Sequence, residues 1–266
     1  MSTEASSPAE GEFAASADEH YDVMGVPVSA VNRPLAVERI ARWIAEGERH
    51  YVCIRDAHGV IRAQTDAELM AIHHEAGMVT PDGMPIVWAG RKAGFPDVDR
   101  VYGPDLVEDL AEQAAVDGWS IFYYGGNDGV ADAFATAFEQ RFPGLKSAGT
   151  FCPPFRDLTA DEKRDVAKMI NDSGADIVLV GLSTPKQEKW MAEMRPSLTA
   201  AALLGVGAAF DFHTGSVRQA PKWIQRSGLE WLFRVGMEPK RLAKRYFVVV
   251  PRFAIGILRN RPHRIS

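Results

Sequence analysis

The feature that most constrains this chain is a series of short, nearly unbroken apolar runs separated by amphipathic stretches. HYVCI (50–54), WSIFYYGG (119–126), ADIVLVGL (175–182) and AALLGVGAAFDF (201–212) read as strands, with a shorter one at LKSAGTF (145–151). Another buried strand is expected to end at Pro81-Asp82-Gly83. Between them, TDAELMAIHHEAG (65–77) reads as a helix capped by Thr65 or Asp66 and stopped at Gly77. Segments 128–142 and 159–174 are also expected to be helical, and RVYGPDL (100–106) opens a further helix. TPKQEKWMAEM (184–194) is another, with Pro185 in its first turn and a capping box from Thr184 to Gln187. Strands without polar alternation must be buried on both faces, and helices between them supply the cover. The expected fold is a Rossmann-like α/β sandwich built on a parallel sheet.

Such a sheet collects ligands beyond the carboxyl ends of its strands. The segments expected there are PDG (81–83), GGNDG (125–129), STPKQE (183–188) and GAAFDFHTG (207–215). Pro81 and Gly83 suit a turn, while Asp82 between them is a carboxylate at the ligand edge. Gly125 and Gly126 either let a backbone approach phosphates at a helix start or make a tight turn. Lys186 is a cation at the positive end of a helix, which favours an anion beside it. Asp211 could accept hydrogen bonds from a sugar or ribose, whereas His213 suits a surface or capping position. Arg100 suits a phosphate clamp. His73 and His74 point in different directions on one helix, and no metal-ligand spacing occurs.

Charge divides the chain. The first twenty residues carry Glu4, Glu10, Glu12, Asp18 and Glu19 and no Lys or Arg, so 1–20 is expected to be disordered. It has no basic start or apolar stretch of a signal peptide. The last fifth is basic, with only Glu230 and Glu238 against a dozen Lys and Arg from Arg218 onward. A basic tail carrying Trp223, Trp231 and Phe233 calls for an anionic partner, a phosphate or a membrane surface. FVVVPRFAIGIL is too short and too interrupted by Pro251 and Arg252 to span a bilayer. A net charge of -5 gives no indication of nucleic-acid binding. Cys53 and Cys152 read as cytosolic thiols. The expected division is a core over 21–215 and a basic helical C-terminal appendage over 216–266.

Taken in order, TPDGMPIVWAGR, RVYGPDL, YYGGNDGVA, FPGLKSAGT, ADIVLVGLSTPKQEKW, GVGAAFDFHTG, RQAPKW and GLEWLFRVGMEPKRL closely resemble the WecG/TagA/CpsF glycosyltransferase family over about residues 21–247. The resemblance implies an inverting transferase using a nucleoside-diphosphate sugar: a UDP-linked hexose, N-acetylhexosamine or uronic acid. Its relatives build teichoic acid linkage units, enterobacterial common antigen, or capsular and exopolysaccharide repeats. The implied acceptor is a polyprenyl-diphosphate-linked saccharide, which implies a cytoplasmic protein held peripherally at the inner membrane face. By the same matching Asp82 is the active-site aspartate, and Arg100, Gln187 and Asp211 line the donor site. The family commonly has a threonine where this chain reads Ile54-Arg55-Asp56, which makes Arg55 or His58 candidates on the acceptor side.

The chemistry expected is a single displacement in which Asp82 takes the acceptor hydroxyl proton. Arg100 and a tail arginine, Arg234 or Arg241, are candidates to hold the leaving diphosphate. No metal or other cofactor is expected. A non-catalytic nucleotide-sugar-binding subunit is the competing class, and homo-oligomerisation is left open. A dinucleotide-dependent oxidoreductase would need a G-x-G-x-x-G fingerprint that this chain lacks.

Overall fold

The computed structural model of the chain describes residues 19–213, 220–237 and 239–265, without the side chains of Asp211, His213, Arg241 and Arg245. The disorder expected over 1–20 falls on residues 1–18, outside the described residues, and His20 already begins a strand. From there β1 (His20–Val23), β2 (Val26–Ser29) and α1 (Arg33–Glu46) lead to β3 (His50–Arg55). α2 (Ala57–Ala63), α3 (Ala67–Glu75), β4 (Met78–Pro81) and α4 (Met84–Lys92) follow. Next come α5 (Gly103–Asp117), β5 (Ser120–Gly125), α6 (Val130–Arg141), β6 (Lys146–Phe151) and α7 (Ala160–Asp172). The core sequence closes with β7 (Ile177–Gly181), α8 (Lys186–Met194), β8 (Ala202–Gly205) and α9 (Ala209–His213). Beyond it lie α10 (Lys222–Arg226), α11 (Glu230–Met237), α12 (Pro239–Arg259) and β9 (Arg264–Ile265).

Six strands form one parallel sheet in the order β4-β3-β8-β7-β5-β6. Successive side chains leave a strand on opposite faces, which is why these runs had to be apolar throughout. Val52, Leu204, Leu179 and Tyr123 are paired across four neighbouring strands and pack towards α1, α5 and α6. Tyr51, Leu203, Val178 and Phe122 make the corresponding row on the other face, under α2, α3, α7 and α8. Local chemistry agrees with this plan: Asn32, Asp56, Asp66 and Thr159 each cap the helix that follows, Thr159 in a full capping box with Glu162.

Three expectations change. AALLGVGAAFDF is not one strand: β8 ends at Gly205, Gly207 turns the chain at φ 56°, and α9 begins at Ala209. Its second half is apolar because Phe210 packs into Tyr123 and Phe134, at 6.3 and 4.9 Å between rings, not because it lies in the sheet. Thr184 does not cap α8; Pro185 holds the cap position without a side-chain bond, and the Thr184 hydroxyl donates to Glu188 Oε1 (3.1 Å). The helical appendage is not continuous: among its described residues it forms three helices, broken first after Arg226 at Gly228, whose φ is 76°.

No sequence pattern announced the second sheet, β2-β1-β9, which is antiparallel and closed by β9. Tyr21 pairs with Arg264, and Phe253 of α12 is buried in the same core as β1 and α4. Pro251 sits within α12, and no helix among the described residues is long and apolar enough to cross a membrane.

The connections leaving the sheet define its working edge. β5 connects outward to β6, while its neighbour β7 connects back to β8. Such a parting marks the carboxyl ends as the ligand edge, and a cavity lies at that edge beyond β3 and β4.

Phe134 is fully buried, stacked 4.1 Å from Phe138 and edge-on to Tyr123. Phe134→Ala is expected to lower the unfolding free energy by about 3–5 kcal/mol, measured by urea denaturation. A loss below about 1 kcal/mol would contradict the packing described for α6.

Candidate active site

β4 stops at Pro81, and Gly83 begins α4 without a side-chain cap, so Asp82 occupies the whole link between strand and helix. Its backbone is fixed from both sides. The Asp82 N–H donates to Arg55 O (2.9 Å), and Asp82 O accepts from Arg100 Nε. Val101 N–H donates to Pro81 O (2.8 Å), which brings the segment carrying Arg100 alongside. The carboxylate is therefore presented at the sheet edge by main-chain bonds rather than by a flexible loop.

The Arg100 guanidinium is the centre of the cluster. Its Nη2 donates to Asp82 Oδ1 (3.2 Å) and to Glu230 Oε2 (2.6 Å), its Nη1 donates to Gln225 Oε1 (3.0 Å), and its face lies 4.2 Å from the Tyr102 ring. Arg234 joins through the other oxygen of Glu230 (2.7 Å) and donates to Tyr102 Oη (3.4 Å). Two cations and two carboxylates thus alternate from core to tail. They border a cavity of about 320 Å³ whose lining includes Asp56, His58, Asp82, Arg100, Glu230 and Arg234. Its apolar wall comes from Trp88, Trp231, Tyr246 and Phe253, so α10 to α12 form one side of it.

Electrostatics favour a base. Burial pushes the Asp82 carboxyl up to about 6, against the pull of Arg100; Glu230 and Asp56 push the same way as burial, and Arg234 opposes them. The group is ionised near neutral pH yet basic enough to accept a proton. Cys53 is the opposite case: buried, with its thiol pushed up to about 12 by desolvation, it is chemically quiet. Among the described residues no group of three or more His, Cys, Asp or Glu is placed to hold a metal ion.

The structure brings Asp82, Arg100, His58 and Arg234 to one cavity, whose described lining does not include Gly125, Gly126, Lys186, Gln187 or Arg55. Gly125 and Gly126 end β5 with φ of 113° and 80°, and a Cβ on Gly125 would come within 2.7 Å of Gly181 O. The Gly126 N–H donates to Gly181 O (3.0 Å), so the glycines serve close strand approach. Lys186 is exposed at the start of α8. Asp211 and Arg241 lie on α9 and α12, with side chains outside the described residues.

Two assignments are corrected. Arg55 cannot meet an acceptor, because it is 1% exposed and ion-paired with the fully buried Glu188. Gln187 does not face a donor: its Nε2 donates to Gly205 O (2.9 Å) and its Oε1 accepts from Gly207 N–H (3.0 Å), so its polar atoms are used within the fold. Sequence reading missed Glu230, Gln225 and Asp56. Glu230 left a usable signal, as one of only two acids in a strongly basic tail.

Comparison with known proteins gives a consistent picture. A sequence model described as the "Glycosyl transferase WecG/TagA/CpsF family" matches residues 21–266. A protein of Bacillus subtilis named N-acetylglucosaminyldiphosphoundecaprenol N-acetyl-beta-D-mannosaminyltransferase is 25% identical over 241 residues, covering 88% of this chain and 91% of the relative. A protein of the same name from Bacillus spizizenii is 30% identical over 190 residues, covering 71% of each.

The charge network can be checked by carboxylate NMR. The Asp82 midpoint is expected near 6. Arg100→Met removes a lowering charge and should move the midpoint up; Glu230→Gln removes a raising charge and should move it down. An Asp82 midpoint near the ordinary 3.9, unmoved by either change, would contradict the cluster.

Proposed function

The chain belongs to the WecG/TagA/CpsF glycosyltransferase family, and on that footing we propose that Asp82 is the general base of an inverting sugar transfer. The donor is a nucleoside-diphosphate sugar, and the acceptor is a polyprenyl-diphosphate-linked saccharide. The observation that carries the reading is a half-buried carboxylate paired with an arginine at the mouth of a cavity. The names of the two Bacillus relatives supply the acceptor class, an undecaprenyl diphosphate carrying N-acetylglucosamine, and a β-linked product. From an α-linked donor, a β product requires inversion.

In this reading the acceptor hydroxyl attacks the anomeric carbon as Asp82 removes its proton. The new oxygen–carbon bond forms while the bond from carbon to the diphosphate oxygen breaks, and the nucleoside diphosphate leaves with the electron pair. Its developing charge needs fixed cations. Arg100 and Arg234 supply them, already held by Glu230 within reach of Asp82. Asp82→Asn is expected to cut turnover about 10²–10⁴-fold with unfolding unchanged. The assay is transfer from a panel of UDP-sugars to a synthetic lipid diphosphate acceptor, read by mass spectrometry. Near-normal turnover would reject the assignment.

The tail also supports docking on an anionic membrane surface, from which such an acceptor is reached. Phe247, Ile255 and Leu258 are exposed on α12, together with Lys244, Arg252 and Arg259. Apolar side chains can enter the interface, while each cation near an anionic leaflet adds on the order of 1 kcal/mol. The full chain should float with anionic vesicles at low salt, and Phe247→Ser/Leu258→Ser together with Lys244→Gln/Arg259→Gln should not. Equal flotation of parent and variant would reject this surface.

A further inference from the structure

A second polar cluster lies behind the cavity, and the proton-transfer scheme does not use it. Arg55 Nη2 is ion-paired with Glu188 Oε1, and both side chains are buried to within 1% of completely. The same Oε1 accepts from Thr184 Oγ1 (3.1 Å) and Gln187 Nε2 (3.0 Å). Gln187 in turn bridges Gly205 O and Gly207 N–H. The main chain of Arg55 carries the last link, since its carbonyl accepts from Asp82 N–H. One connected network therefore joins the carboxyl ends of β3, β4, β7 and β8, four neighbours along the working edge.

Space for the network is made by glycines. A Cβ on Gly59 would come within 2.6 Å of Arg55 Nη1, and one on Gly205 within 2.9 Å of Gln187 Nε2. His73 lies in the same interior with its imidazole pushed down to about 3, by burial first and then by Arg55, so it adds no charge. A fully buried ion pair is a poor source of stability, because desolvation of both ions offsets their attraction. Well-packed apolar replacements are often neutral or stabilising by about 1–4 kcal/mol. What the pair supplies that apolar residues cannot is direction: a charged contact through one Arg55 nitrogen and one Glu188 oxygen that sets one loop against another.

We propose that Arg55 and Glu188 are a positioning pair, setting Asp82 in register with the loops after β7 and β8. This rests on the reading of Asp82 as base. Displacement of about 1 Å can cost roughly 10²-fold in rate, so a small slip between these strand ends is enough to matter.

The test is the double variant Arg55→Met/Glu188→Met, which leaves no unpaired buried charge, measured beside Gln187→Met, which cuts only the link to β8. The double variant is expected to unfold cooperatively at or near the parent's midpoint while kcat falls at least tenfold. Gln187→Met should show a smaller fall in kcat and a raised donor KM. A double variant with kcat and donor KM within twofold of the parent overturns the proposal. One that fails to fold overturns it too, by assigning the pair to stability. Parent and Asp82→Asn run in the same assay separate the two claims: an active Asp82→Asn defeats the base, whereas an active double variant beside an inactive Asp82→Asn defeats only the pair.

Discussion

The Arg100 guanidinium is where the core and the tail of this molecule meet. It fixes the Asp82 main chain through Nε, shares Nη2 between Asp82 and Glu230, and reaches Gln225 through Nη1. Arginine can do this because its donors form a rigid planar fork, and lysine could not satisfy the same set. That group ties α10 and α11 to the carboxyl edge of the sheet, beside the Arg234 contact with Tyr102. It borders the cavity, of which one wall belongs to α2 and α4, and the other to the basic tail.

The same contacts set the chemistry. Burial alone would favour a neutral Asp82, and Arg100 alone would favour a fully ionised, weakly basic one. Glu230 takes up part of the Arg100 charge and adds its own repulsion, leaving Asp82 at about 6. Glu230 also holds Arg234 beside the cavity. An acid in the tail thus serves two opposed needs, a base that can accept a proton and cations poised for a phosphate. Neither need is met by the core alone.

The sheet was legible because burial on both faces leaves an unmistakable pattern, as in ADIVLVGL and WSIFYYGG. Asp82 was legible from its place after a buried strand, Arg100 from its place before a helix, and both from the family resemblance. The failures have specific causes. Phe210 reads as strand because apolarity alone does not distinguish a strand from a short helix packed on the sheet. Arg55 and Gln187 looked like ligand groups because they are polar and lie at the ligand edge. That their partners are Glu188 and the 205–207 backbone depends on contacts 133 and about 20 residues away in the chain. The pairing of β9 with β1 joins the two ends of the described chain, and four- and two-residue strands carry too little pattern to announce it.

The central claim is that Asp82 carries the proton in the transfer step, and the pH dependence of kcat/KM addresses it most directly. The structure calls for a single acid limb with a midpoint near 6, activity rising with pH as Asp82 loses its proton, and no such limb in the residual activity of Asp82→Asn. An acid limb that persists unchanged in Asp82→Asn would place the base elsewhere and contradict the account.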